Sequence, residues 1–499
     1  MTARRPCTPA PGPLEAYAGH FDDLFHSLAQ REAFRAYLQG LLLPRDRNKT
    51  LTGLAGTEPL VAAQTAPVQR LQFFLSESAW DAAAVNTRRL EALWAEQKLR
   101  PHARGVLIVD DTGDRKAGSR TAHVARQYLG SIGKVDNGIV AVTTVWADER
   151  VYYPLAFAPY TPASRLPRGT ADPAFQTKPQ LAARLIDQAR AAAVPFRAIV
   201  ADCFYGDHVG FIEALERAHL PYVLSLKPTT GTWAPPEAAH TPREAAEDLA
   251  WESPEAPGDW VPIQRRFRDG HQERWWAAEA RLGGYGPDRR QRLVVVTTDP
   301  GTLPPLSTWY LLTNLPPPHA PRAEAAPWAP ADLRELVRLY GLRLWVEQSY
   351  KQIKGQLGWA DFQVRADVAI QRHWQLVCCA FAFCWWAWFR EPAEQRHRFA
   401  TAASAEPAEE PAMSRAATDA ARRGENRVRR GRSGFRATAP ASRLARDAAP
   451  RAGLARPLRA ALARVAGLVH APAAPGTPGL TRRGGPRAAV VSLSPVLTN

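Results

Sequence analysis

Cysteine is scarce in this 499-residue chain. Cys7, Cys203, Cys378, Cys379 and Cys384 make an odd number with no CxxC pair, which argues against both a disulfide framework and a structural zinc site. No secretory signal is visible, so the expectation is a reduced, cytoplasmic protein. Cys203 lies beside Asp202 with no His pattern nearby, and reads as a core residue rather than a nucleophile. Long apolar runs are also missing. The best candidate, residues 374–389, is 16 residues long and holds four Trp, short of the roughly 20 that a lipid span needs. A buried helix is expected there, and no membrane partner. Lysine is absent from residues 391–499, where 19 Arg face 8 acids. That segment is built mainly of Ala, Arg and Pro and has almost no aromatic residues, so it cannot bury enough apolar surface to offset chain entropy. It is expected to be disordered, as a non-functional extension or, alternatively, a nonspecific DNA-binding tail. It carries +11 of the net charge of +16, so the other 390 residues are only mildly basic and any polyanion site there must rest on local patches.

Three stretches carry chemistry. Residues 340–354 (YGLRLWVEQSYKQIK) predict one helix with no Pro and no Gly after Gly341. Tyr340, Arg343, Glu347, Lys351 and Lys354 share a face at spacings of 3, 4, 4 and 3. Alone this could be a solvated helix with i,i+4 charge pairs. Residues 104–112 (RGVLIVDDT) predict a buried strand ending in Asp110 and Asp111, and residues 196–206 (FRAIVADCFYG) another ending in Asp202. Either strand could end in a simple turn aspartate. Two strand-end acids and one helix-borne acid together suit a hard cation.

The spacing Tyr340-x2-Arg343-x3-Glu347-x6-Lys354 is similar to the Y-R-E-K signature of bacterial insertion-sequence transposases with a DDE catalytic triad. VDDT and ADCFYG resemble the two aspartate motifs of that group, in the right order. Similarity extends to TAHVARQYLGSIGKVDNG and to the helix starting at Gln371-Arg372-His373, and covers roughly residues 14–390. The resemblance implies a ribonuclease H-like α/β fold, in which Asp110, Asp202 and Glu347 are the catalytic residues and hold two Mg²⁺ ions, with Mn²⁺ able to substitute. Tyr340, Arg343 and Lys354 would bind DNA phosphate. Adjacent strand residues face opposite ways, so Asp110 and Asp111 do different jobs. Asp110 fits the group's Asp-x-Ser/Thr pattern and is the expected ligand, with Asp111 left to a turn or supporting role and Asp114, Asp136 and Asp207 to turns. The implied activity is DNA cleavage and joining at terminal inverted repeats, by a homodimer holding double-stranded transposon ends and target near the nucleoid. A metal-dependent nuclease without strand transfer and a domesticated DNA-binding protein are the alternatives.

The expected organisation runs in order. Residues 1–13 are disordered, and 14–100 form a helical, DNA-binding domain with a basic turn at Arg45, Arg47 and Lys49 and the pair Arg88-Arg89. Residues 101–228 hold the first part of a mixed five-stranded sheet: three antiparallel strands, helix, strand, helix, strand. Residues 229–330 form a mostly β insertion, and 331–390 complete the catalytic domain. Within the insertion a hairpin turns at Asp269-Gly270. One of Trp275 and Trp276 is expected to be exposed there, where beside Arg265, Arg266, Arg268 and Arg274 it could stack on a DNA base; packing in the core is the equal alternative. His373 is expected to be a capping or core residue rather than a substrate ligand, and Arg365 is a lesser phosphate candidate.

Overall fold

The computed structural model describes residues 5–44, 48–57, 64–267, 270–320, 323–324 and 326–390. The expected tail at 391–499, together with Arg45, Arg47, Arg268 and Asp269, lies outside the described residues.

Ten strands form one sheet. They are β1 (Val106–Arg115), β2 (Ala125–Leu129), β3 (Lys134–Ala147), β4 (Tyr152–Tyr160), β5 (Ala198–Ala201), β6 (Tyr222–Leu226), β7 (Val261–Arg266), β8 (Gln272–Ala280), β9 (Arg292–Thr297) and β10 (Thr308–Thr313). The lateral order is β2-β3-β1-β5-β6-β10-β9-β8-β7, with β4 also on β3. β1 runs antiparallel to β3 but parallel to β5, and β5 runs parallel to β6. The strands expected in the insertion therefore do not stop at its boundary. β10 pairs antiparallel with β6, and β7 to β10 together with β2 extend the expected five strands into ten. Asp114 and Asp136, expected in turns, lie within β1 and β3. The apolar run through Val109 marks only the first half of β1, because polar residues continue the strand where the helix described below covers it.

The N-terminal helices are α1 (Pro13–Ala18), α2 (Leu28–Leu42), α3 (Leu51–Leu54), α4 (Ala66–Ser76) and α5 (Ala82–Trp94). Next come α6 (Lys178–Ala191), α7 (Cys203–Gly206), α8 (Val209–Arg217) and α9 (Pro242–Glu247), then α10 (Leu333–Gly341), α11 (Leu344–Gly355) and α12 (Asp367–Arg390). Local chemistry starts them. Ser27 with Gln30, and Thr177 with Gln180, form capping boxes on α2 and α6. Asp202 caps α7 through the Phe204 amide.

α12 is the buried helix expected from the tryptophan-rich run, and α1, α2, α4, α5 and β4 pack around it. None of the described helices is long and apolar enough to cross a membrane. Tyr17 donates to the Cys379 carbonyl, and Trp359 stacks on Trp374 at 4.7 Å. Two of the cations that suggested DNA binding turn inward. Arg89 is buried and donates to the Pro154 and Leu155 carbonyls, while Lys49 donates to the Gly40 and Leu43 carbonyls. Arg372 likewise caps Leu75 and Trp80. Each buried guanidinium is satisfied by backbone oxygens, which is what makes its desolvation tolerable. The N-terminal helices and the sheet thus share one apolar core.

Candidate active site

The site forms where β1, β5 and the α10–α11 segment meet. Residues 340–354 are not one continuous helix. α10 ends at Gly341, and Arg343 caps α11. Across the junction Arg343 donates to Tyr340, Trp345 to Leu342 and Val346 to Arg343, all i→i−3 bonds of 2.9 to 3.1 Å. The chain stays right-handed but tightens by one turn of 3₁₀ character, which rotates Arg343 inward relative to an ideal helix.

Arg343 collects the three expected acids. Its Nη2 donates to Asp110 Oδ2 at 2.9 Å and lies 3.6 Å from Asp202 Oδ2, and its Nη1 lies 3.2 Å from Glu347 Oε1. The Asp110 and Asp202 carboxylates are therefore no further apart than those two contacts allow together. Asp110 is buried at the middle of β1, Asp202 is held at the end of β5 by its capping bond, and Glu347 is the most exposed of the three. Gly206 permits this placement of Asp202: a Cβ there would run into the Ser225 carbonyl of β6, so only glycine lets α7 lie so close to the sheet.

Burial raises the Asp110 carboxyl; Arg343 opposes the shift, and Asp202 and Asp111 add to it. An acid raised first by burial and then by acidic neighbours, with a guanidinium opposing, is an environment typical of functional sites. Arg343 itself is held firmly charged, since its carboxylate neighbours outweigh its burial.

The other expected residues divide. Asp111 faces the opposite side of the sheet and pairs with Lys178 at 2.8 Å, which supports different jobs for the two adjacent aspartates. Lys354 pairs with Asp114 at 2.8 Å and donates to the Gly113 carbonyl at 2.9 Å. Tyr340 is buried against Trp309, and its hydroxyl bonds the Ser225 side chain; burial pushes the phenol up to about 12. Lys351 is exposed, as is Arg365. His373 is fully buried between the Tyr37 hydroxyl and the Gly358 carbonyl, at 2.8 and 3.0 Å, so it is a core residue.

The expectation that one of Trp275 and Trp276 is exposed fails. Both are buried, because this hairpin is covered on both faces: Trp276 meets Trp251, and Trp275 meets Trp309. Arg265 fills the space a base would need, 4.3 Å from the Trp275 ring and 4.6 Å from Trp309.

A profile described as DDE superfamily endonuclease matches residues 20–283, more than half of the chain. The chain belongs to the DDE endonuclease superfamily. It is also 33% identical, over 365 residues, to a probable transposase for insertion sequence element IS701 from Microchaete diplosiphon; the match covers 73% of this chain and 85% of that protein.

In this DDE endonuclease the donor set can be tested against a cation. Among the described residues no three Asp, Glu, His or Cys side chains are grouped tightly enough to cage an ion as placed. The guanidinium of Arg343 stands among the acids instead, a positive group where three carboxylates converge. The Tyr205 hydroxyl, buried and without a partner among the described residues, feels Asp111, Asp110 and Asp202. Three carboxylates and an unsatisfied hydroxyl fit a hard divalent cation with its water. Tyr205 and Tyr350 are site residues that sequence reasoning passed over. Tyr350 shares a 2.5 Å hydrogen bond with Thr143, opposite Asp110 on β3. Each lies three residues after an expected acid, Asp202 and Glu347, and that helical spacing is the signal that could have found them.

Proposed function

We propose that the protein is an insertion-sequence transposase that cuts DNA at the terminal inverted repeats of its element and joins the ends to target DNA. The observation that carries this reading is the convergence of Asp110, Asp202 and Glu347, from three separate elements, on one guanidinium. The strand order β4-β3-β1-β5-β6, antiparallel on one side of β1 and parallel on the other, supports assigning these five strands to a ribonuclease H-like unit. In this proposal residues 101–228 and 331–390 make the catalytic domain, 229–330 its insertion, and 14–100 a helical domain that engages DNA, acting as a homodimer in the cytoplasm.

Asp110, Asp202 and Glu347 would hold two divalent ions, Mg²⁺ or Mn²⁺, which when bound lower the pKa of attacking water and neutralise the scissile phosphate. The chain's own residues do the rest. Arg343, which stands among the three acids, would present its fork of donors to a phosphate oxygen there. Lys354 reaches the same backbone only by exchanging Asp114 for phosphate. Tyr340, being buried, holds the α10–α11 junction against Trp309. The Asp111–Lys178 pair, on the other face of β1, braces the middle of the strand and keeps the second aspartate out of the cluster.

Glu347→Gln keeps shape but removes the charge that holds an ion. Nicking and strand transfer should fall by about two orders of magnitude or more, with binding to a terminal-repeat duplex retained. Measuring both on the same preparations tests the assignment. Wild-type nicking by Glu347→Gln in Mg²⁺ would overturn it, and nicking without any joined product would point to a nuclease.

A further inference from the structure

The segment that leads from β1 into β3 has no role in the reading above. From Arg115 to Val135 it contains five cations (Arg115, Lys116, Arg120, Arg126 and Lys134) and no acid. Its base is clasped to the segment that follows α11. Lys116 donates to the Ala360 and Phe362 carbonyls at 2.6 and 2.9 Å, the Ala122 amide donates to Arg365, and His123 joins Asp367 at 2.7 Å. Its tip is folded back onto β1. Ser131 Oγ donates to the Gly113 carbonyl at 2.7 Å, the same oxygen that takes Lys354. Leu129 packs so closely there that a Cβ on Gly113 would come within 2.9 Å of its side chain. Gly113 is three residues from Asp110, about 10 Å along a strand.

Held in this way, the β2–β3 hairpin presents an exposed row. Tyr128 and Val135 face each other across the strands, 55% and 53% exposed, with Arg126 on the same face, Ile132 at the turn and Lys134, paired with Leu129, exposed at the strand's start on the other face. The one acid on the hairpin, Asp136, is taken up by Arg115 at 3.4 Å, so an exposed ring flanked by the remaining cations is suited to stack on a base and meet phosphates, not to bind an apolar protein surface.

We propose that the β2–β3 hairpin grips the DNA flanking the scissile phosphate, with Arg126 and Lys134 on the backbone and Tyr128 against a base, about three nucleotides from the cut at roughly 3.4 Å per step. This rests on the DNA-cutting reading above and adds the surface that holds the strand. Wall and carboxylates share β1, so a grip here sets the phosphate's register against Asp110.

The test uses the full-length protein and a duplex carrying one terminal repeat with its flank. The double variant Arg126→Gln/Lys134→Gln should bind with a log–log salt slope shallower by about 2, since each lost contact removes about 0.9. Hydroxyl-radical protection about three base pairs from the cut should vanish, and Tyr128→Ser should weaken binding without changing the slope. All three positions are exposed, so melting should not move. An unchanged slope and footprint in the double variant would overturn the proposal while leaving wild-type nicking, and the transposase reading, intact. A change in oligomeric state by light scattering, with the slope unchanged, would assign the hairpin to contact between copies and also overturn it. Failure of the wild type to bind or nick the duplex would remove the DNA reading itself.

Discussion

Arg343 touches Asp110, Asp202 and Glu347 at once, so removing it leaves three acids with no compensating charge among them. Arg343→Ala should lower the stability of the metal-free protein by about 3 kcal/mol, the scale of breaking a buried ion pair. Mg²⁺ should then raise the melting temperature of the variant more than that of the wild type, because the ion no longer competes with a guanidinium. Equal or absent Mg²⁺ shifts in the two proteins would count against a cation site at these acids. His373 offers a second test. Its burial holds the imidazole at about 4, below the ordinary 6.5, so unfolding takes up a proton below the higher value. The stability tied to its neutral form is complete above pH 6.5 and is lost as pH falls towards 4. The stability advantage of wild type over His373→Gln should shrink by roughly 3 kcal/mol across that window, as followed by urea titration at several pH values. At this scale the sequence was informative about which acids lie together, since Asp110 and Asp202 each end an apolar run and Glu347 stands on a helix face, although β1 itself runs on past Asp110 to Arg115. For Tyr205 and Tyr350, in the contexts DCFYGD and EQSYKQ, the only signal was the spacing of three from Asp202 and Glu347, which by itself does not separate a site residue from a packing one.

Elements follow their local signals closely where caps and apolar runs agree. The helix, strand, helix and strand that local signals place at 179–193, 197–202, 209–218 and 221–226 are α6, β5, α8 and β6, each within a residue or two, since each has a buried face that only one register satisfies. The split between α10 and α11 was not legible. Residues 340–354 have helical periodicity throughout, and what breaks them is the pull of the carboxylates on Arg343 and the packing of Tyr340 on Trp309. The two tryptophans of the β7–β8 hairpin failed for a related reason: alternation shows that neighbours face opposite ways, not that either face is open. Close approach governs α7 as well. Gly206→Ala should force α7 away from Ser225, costing about 1–3 kcal/mol and moving Asp202 off the cluster. Nicking should be lost more severely than thermal stability alone accounts for, by activity measured well below the melting temperature. An alanine variant with wild-type nicking would show that Asp202 tolerates the shift.

Across the whole molecule, α12 and the buried arginines tie the N-terminal helices to the sheet. Unfolding followed by far-ultraviolet circular dichroism and by tryptophan fluorescence should therefore give one coincident transition, and residues 14–100 expressed alone should not fold. Arg89→Ala removes the buried donors to the Pro154 and Leu155 carbonyls, of which Leu155 keeps its bond from Asn86, and should lower stability by about 2 kcal/mol, again in a single step. Two separated transitions would mean that the helices form an independent unit.

The pairing of β10 with β6 also has a consequence during synthesis. β6 is finished at Leu226, yet the strand that covers its outer edge begins only at Thr308. At about 5–20 residues per second, a ribosome takes several seconds to supply those roughly eighty residues. Through that interval the nascent chain carries a hydrophobic strand with an open hydrogen-bonding edge, which is a template for pairing with neighbouring polypeptides on the same messenger. Slow codons placed before residue 308 should raise the aggregated fraction of the product, and the same codons placed after residue 313 should not.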